Sequence, residues 1–142
     1  MSYVRIWVHM VFSTKNREAD LSKEIRDRLI PHIISNARAK DVVLESIGGW
    51  FEHLHLLISL GREQTIAKVA MLLKGESAHW LNQQKLLRGK FYWQDDYFAV
   101  SVSESRVAQL KEYIANQEEH HRAKSFAEEY DWLKKTRKGD LG

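Results

Sequence analysis

Between Phe51 and Leu60 the chain reads Phe-Glu-His-Leu-His-Leu-Leu-Ile-Ser-Leu, an alternation that suits a two-faced β-strand. Successive side chains of a strand point to opposite sides, so Leu54, Leu56, Ile58 and Leu60 make one continuous apolar face. His53 and His55 project together from the other, with Leu57 and Ser59 beyond them. The stretch therefore calls for a sheet buried on one side and carrying polar chemistry on the other. Two imidazoles two residues apart on one strand face can grip a single divalent ion, because imidazole nitrogen is a common ligand for borderline metals. They can equally be two half-exposed histidines on an open sheet face.

The rest of the chain supplies partners for that strand. Residues 3–14 alternate in the same way: Val4, Ile6, Val8, Met10 and Phe12 face a core, while Tyr3, Arg5, Trp7, His9 and Ser13 face away, with Val11 among them. Ser22 is an N-cap candidate for a helix over 22–39 with Ile25, Leu29, Ile33 and Ile34 at helical spacing, and Pro31 should kink it. Residues 41–50 read as a second strand that ends in a Gly48-Gly49 turn or bulge and forms a hairpin with the histidine strand. Thr65 or Gln64 caps a helix to about residue 85, a basic loop follows, and Phe98, Val100 and Val102 mark a fourth strand. Ser103 or Ser105 can cap a third helix over 104–119.

The order β-α-β-β-α-β plus a further helix predicts an α+β, ferredoxin-like antiparallel sheet with both crossover helices on one face. Arg5, Trp7, His9, His53 and His55 then share the face those helices leave open. On the third helix Tyr113 and Gln117 lie four residues apart, hence side by side, on the flank of a stripe made by Val107, Leu110 and Ile114. Gln117 could add an amide oxygen to an ion already held by two histidines, with the Tyr113 phenol one turn away. Taken singly, Tyr113 reads as a packed aromatic and Gln117 as a solvated polar residue.

Composition narrows the class of protein. At 142 residues the chain makes one domain of ordinary size. It has no cysteine, which excludes disulfides, thiolate metal sites and a cysteine nucleophile and points to a reducing cytoplasm. The apolar runs are far too short to cross a bilayer, and the N-terminus enters the strand pattern without a signal peptide. A net charge of +3 permits nucleic acid as partner, and five Trp and five Tyr offer rings that pack a core or stack on bases.

Five blocks carry a resemblance to a known family. They are Trp7-Val8-His9-Met10-Val11-Phe12-Ser13-Thr14-Lys15-Asn16-Arg17, His53-Leu54-His55-Leu56-Leu57, Leu73-Lys74-Gly75-Glu76-Ser77-Ala78, Trp93 through Ser103, and Tyr113-Ile114-Ala115-Asn116-Gln117. In this order they resemble the single-tyrosine HUH transposases of small bacterial insertion sequences, the IS200-like family, with its relatives associated with repetitive extragenic palindromes. The resemblance spans residues 5–118. Phe51-Glu52 departs from the Pro-Asp of many relatives, although Glu52 keeps the acidic charge.

That resemblance implies a bacterial DNA transposase that cleaves and rejoins single-stranded DNA at hairpin-marked ends. It implies His53, His55 and Gln117 as ligands of Mg²⁺ or Mn²⁺, and Tyr113 as a nucleophile that leaves a 5′-phosphotyrosine link. It also implies a homodimer in which the Tyr helix of one chain can complete the histidine site of the other, so that Tyr113→Phe and His53→Ala chains would complement when mixed. Arg5, Trp7 and His9 on the open face, with Lys15, Arg17, Lys74 and Arg88, are the residues expected to meet DNA. Residues 1–119 are read as the transposase domain. Residues 120–142 are read as a charged helical extension without a catalytic motif, in which His120 and His121 are not expected to be ligands. The competing reading is a non-catalytic, domesticated DNA- or RNA-binding module on the same fold.

Overall fold

The computed structural model describes residues 1–140, with side chains described through Lys135, so the end of the charged extension lies outside the described residues. Strands β1 (Ile6–Ser13), β2 (Val43–Gly49), β3 (His53–Leu60) and β4 (Phe98–Val102) form one antiparallel sheet in the order β2-β3-β1-β4. Helices α1 (Lys23–Ala39) and α2 (Ile66–Gln84) are its crossovers. Both begin as the cap residues predict: Ser22 Oγ accepts from Ile25 N–H and Thr65 Oγ1 from Lys68 N–H, at 3.3 and 3.2 Å. α1 runs through Pro31 as one element, anchored on both sides by the buried Leu29 and Ile33.

The main core lies between this helix pair and the sheet. Val8, Met10 and Phe12 of β1 meet Leu54, Leu56 and Ile58 of β3 beneath Leu29, Ile33 and Leu73. The alternation overreaches at the N-terminus, since Val4 and Ile6 are 38% and 46% exposed. Ile6 pairs with Leu60, the last residue of β3, so the β1–β3 ladder ends there and Val4 lies beyond it.

The second sheet face is not open. A 3-10 turn at Glu104–Arg106 leads into α3 (Val107–Ala115), and α4 (Gln117–His121) and α5 (Phe126–Asp140) follow. The expected helix over 104–119 is therefore broken at Asn116, whose φ of −101° and ψ of 26° leave the helical region. α3 packs Leu110 and Ile114 on Trp7, Leu57 and Val102. α5 packs Phe126 and Leu133 on Val11 and Phe98. Each buried anchor contributes about 1.5–3 kcal/mol, so α5 rests on a seat of only a few kcal/mol.

Gly48 and Gly49 belong to β2 itself, and the hairpin turn falls on residues 50–52, closed by Trp50 N–H donating to the His53 carbonyl at 3.0 Å. The reason for glycine at 48 is the approach of α3. A Cβ there would stand 2.4 Å from the carbonyl oxygen of Ile114, so only a bare backbone lets the end of α3 settle on the sheet beside the histidine strand.

Candidate active site

Register sets the histidines. In the β1–β3 ladder His55 faces Val11 and His53 faces Ser13, while His9 faces Leu57, one pair further along. His9 is thus the diagonal neighbour of His55 on the same face, a separation that long side chains span. The two rings stack with centroids 5.1 Å apart, and His9 Nε2 lies 2.9 Å from His55 Nδ1. Glu52, in the hairpin turn, places Oε1 2.8 Å from His53 Nδ1. Each β3 histidine has its Nδ1 occupied and its Nε2 turned towards the covering helices.

Those helices bring the remaining groups. Gln117, first residue of α4, sets Oε1 3.0 Å from His53 Nε2, and its Nε2 donates to the Tyr113 carbonyl at 3.3 Å. The break at Asn116 therefore leaves Tyr113 and Gln117 together. Glu129 of α5 enters the centre: its Oε1 is 3.1 Å from His53 Nε2 and 2.9 Å from His121 Nε2, and its Oε2 is 3.3 Å from His55 Nε2. Glu129 Oε2 also accepts from Gln117 Nε2 at 3.2 Å and from the Tyr113 hydroxyl. His53 and His55 have no exposed surface, and Gln117 and Glu129 retain 2% each.

The charges follow from this enclosure. Burial pulls the His53 imidazolium down, but hydrogen bonds to Glu129 and Glu52 outweigh it and leave its pKa above the usual value. Burial holds His55 at about 4, against the opposing pull of Glu129, so its ring is neutral at pH 7. Burial would raise the Glu129 carboxyl, yet the ring nitrogens of His121, His53 and His55 close around it drive it below the ordinary carboxylate range.

The donor set suits a hard or borderline divalent cation. His53, His55 and Glu129 offer ligand atoms that all lie within 4.8 Å of one another. The neighbouring separations of His53 Nε2 from Gln117 Oε1 and Glu129 Oε1, and of His55 Nε2 from Glu129 Oε2, are 3.0, 3.1 and 3.3 Å. An octahedral ion with ligands at about 2.1 Å has adjacent ligands about 3.0 Å apart. His55 Nε2 is moreover buried without a well-directed hydrogen bond, which leaves its lone pair available.

His53, His55, Gln117 and Tyr113 are thus brought together as expected from the sequence, and Glu129 is the residue that sequence reasoning missed. Its signal was faint: Phe126, Glu129, Tyr130 and Leu133 recur at helical spacing in the tail. His121 contacts Glu129 and stacks on Trp50 with centroids 5.7 Å apart, but it does not belong to the group that can share an ion.

The residues expected to meet DNA divide into two sets. Trp7 is 7% exposed under α3, with its indole N–H on Glu104, and His9 is fully buried, because helices 3–5 cover the face that was expected to be open. Neither presents surface to a polymer here. Lys74 donates to the carbonyls of Gln94 and Asp95 at 2.6 and 2.8 Å and so pins the loop before β4. Arg5 lies at the sheet end beside Glu104, and Arg88 is exposed in the basic loop. Lys15 and Arg17 are exposed on a 3-10 turn (Lys15–Arg17) directly after β1. The Arg17 guanidinium sits 5.0 Å over the Phe126 ring, which stacks on His53 at 4.0 Å. Alongside runs an open cleft of about 490 Å³ lined by Asn16, Arg17, Gln94, Tyr97, Phe126 and Tyr130.

Comparison with known proteins places this arrangement in context. A family model described as "Transposase IS200 like" matches residues 2–117. The chain is 28% identical over 114 residues to the ISDra2 transposase TnpA of Deinococcus radiodurans, a match covering 77% of this chain and 81% of that protein. A crystal structure of a candidate transposase from the same organism superposes with a TM-score of 0.64 at 28% identity, covering 82% of this chain and 95% of the other. A REP-associated tyrosine transposase bound to a REP hairpin shares the fold with a TM-score of 0.60 at 16% identity, covering 82% and 68%. The matched residues stop at Gln117, so α5 and Glu129 lie outside the family match.

Proposed function

We propose, from the premise that the chain belongs to the IS200-like transposase family, that it cleaves and rejoins single-stranded DNA through a 5′-phosphotyrosine link on Tyr113. One observation carries the reading. The Tyr113 hydroxyl, Gln117 Nε2 and His55 Nε2 all converge on one carboxylate oxygen of Glu129. The nucleophile and residues of the ion site gather round one anionic oxygen, and a phosphate oxygen can take that place with the Gln117 amide N–H still donating to it.

In this reading His53, His55 and Gln117 hold a divalent cation, Mg²⁺ or Mn²⁺, with Glu129 completing the set while α5 is docked. A cation there would polarise a phosphoryl oxygen and offset the charge that develops in strand transfer. Tyr113 Oη forms a bond to phosphorus, the bond from phosphorus to the 3′ oxygen breaks, and that oxygen leaves as a hydroxyl after taking up a proton. A phosphodiester is exchanged for a phosphodiester, so rejoining needs no nucleotide. The phenol, with an ordinary pKa near 10, needs its neighbours for this. The experiment is to trap the chain on a single-stranded hairpin oligonucleotide with Mg²⁺ or Mn²⁺ and seek a covalent adduct that survives denaturation.

Both ligand histidines are fully buried, so DNA reaches them only when α5 lifts and a phosphate replaces the Glu129 carboxylate. Glu129→Ala removes hydrogen bonds that hold α5 shut. A loss of about 1.4 kcal/mol in closure shifts the open population by about tenfold. Adduct formation at limiting DNA is expected to rise by that order. A fall would mean that Glu129 is required in the reacting state. The same burial favours the second reading, a non-catalytic nucleic-acid-binding module in which α5 stays closed. Such a protein would bind the oligonucleotide and never form the adduct.

The cleft beside Phe126 is the proposed DNA path, with Arg17 in its lining, the Asp96 carboxylate also there, and Lys15 on the neighbouring turn. Replacing Lys15 and Arg17 by Gln should weaken hairpin binding and reduce the salt slope by about 0.7 for each phosphate no longer neutralised. Titrations between low and moderate salt measure it, and an unchanged slope would move the DNA path elsewhere.

A further inference from the structure

The two histidines of β3 reach the centre of the site through the same ring nitrogen, and each has a different residue behind it. We propose that Glu52 and His9 are positioning residues that set the ring orientation and tautomer of His53 and His55, so that both present Nε2 to the ion. This rests on the reading of these histidines as metal ligands.

The geometry is reciprocal. Glu52 Oε1 stands 2.8 Å from His53 Nδ1, and His9 Nε2 stands 2.9 Å from His55 Nδ1. An imidazole that donates from Nδ1 keeps its Nε2 lone pair for a ligand bond, and such partners behind a ligand histidine fix the ring and raise its basicity. For His55 the choice is forced by one hydrogen. Either its Nδ1–H donates to His9 Nε2, or His9 donates and His55 Nε2 carries the proton, which would close it to an ion. His55 Nε2 is fully buried with Glu129 Oε2 3.3 Å away but without a well-directed hydrogen bond, so no partner in good geometry holds a proton on it. His9 is itself held between the stacked His55 ring and the edge-on ring of Phe98, at centroid distances of 5.1 and 5.6 Å. It has no exposed surface and cannot act on DNA from there.

The two supports differ in kind. Glu52 is an anion in a turn with its side chain 19% exposed, whereas His9 is a buried ring on a neighbouring strand. A carboxylate next in sequence to His53 and an imidazole diagonal to His55 accomplish the same orientation by different routes. Each of the two meets its histidine at Nδ1, the ring nitrogen that is not turned towards Glu129.

The test uses the full chain. In ¹H–¹⁵N long-range spectra of metal-free protein, His55 should show the Nδ1–H tautomer, and His9→Leu should convert it to a mixture. Calorimetric Mn²⁺ affinity should fall about 10- to 100-fold in His9→Leu and in Glu52→Ala. His9→Gln, whose side-chain oxygen can accept from Nδ1–H, should restore it to within a few-fold. Excess Mn²⁺ should recover adduct formation in both weakened variants. If His9→Leu does not fold, Glu52→Ala and the wild-type tautomer still decide. Wild-type Mn²⁺ affinity in folded His9→Leu and Glu52→Ala, or an Nε2–H tautomer for His55 in the parent, overturns the proposal. His53→Ala run in parallel separates the failures: should it bind Mn²⁺ like the parent, the ligand reading fails first.

Discussion

Tyr113→Phe is expected to bind hairpin DNA and Mn²⁺ as the parent does and to yield no covalent adduct at all. The substitution removes a single oxygen. The ring remains between His55, His120 and Trp132, whose centroids lie 5.6, 4.5 and 5.9 Å away. Loss of its hydroxyl hydrogen bond to Glu129 costs about 1 kcal/mol of stability, too little to unfold the chain. Denaturing gels of a 5′- or 3′-labelled oligonucleotide measure the outcome. An adduct in Tyr113→Phe would assign the nucleophile elsewhere. The same variant decides how chains share the reaction. Family resemblance led to the expectation that Tyr113→Phe and His53→Ala chains complement. Here Tyr113 lies against the histidines of its own chain, edge-on to its own His55. Recovery of adduct from the mixture, once subunit exchange is shown, is expected if the Tyr helix crosses between subunits as the resemblance implies, and its absence would confine each site to one chain.

The second large effect is on the ion. His53→Ala and His55→Ala are each expected to lower cleavage by at least about 10²–10³-fold, the order seen when one preorganised charge-stabilising group is removed from a reacting centre. Hairpin binding should persist, because Lys15, Arg17 and the cleft are separate from the ligand atoms. Folding should persist too, at a greater cost than a two-layer sheet would imply. Both rings are fully buried, and His53 stacks on Phe126, so truncation opens a cavity beneath α5 as well as removing a ligand. Circular dichroism with Mn²⁺ calorimetry distinguishes the two losses. A folded His53→Ala chain that cleaves at the parent rate in Mg²⁺ would remove His53 from the reaction.

Gly48 shows how far a one-dimensional pattern reaches. From the sequence it reads as a turn or bulge residue; in the fold it lies in β2 because the Ile114 carbonyl of α3 needs the space of its absent Cβ. The residue was conspicuous, yet its reason lay 66 positions away. Val4 and Ile6 illustrate the converse: their alternation is as clean as that of Val8 and Met10, but they stand beyond and at the end of the β1–β3 ladder, where both stay exposed.

What the sequence by itself determined is whatever follows from local period and order. A repeat of two puts His53 and His55 on one face, a spacing of four puts Tyr113 beside Gln117, and the order of elements yields the antiparallel sheet with α1 and α2 on one side. Only tertiary structure decided what occupies the other side. α3 and α5 close over it, which turns Trp7 and His9 inward and delivers Glu129 to His53 and His55. The amphipathic pattern of a helix states that one face will be buried, but not against what. The direction in which α5 leaves residues 122–125 is set by Phe126 and Leu133 finding Val11 and Phe98, a packing that joins sequence positions more than 25 residues apart.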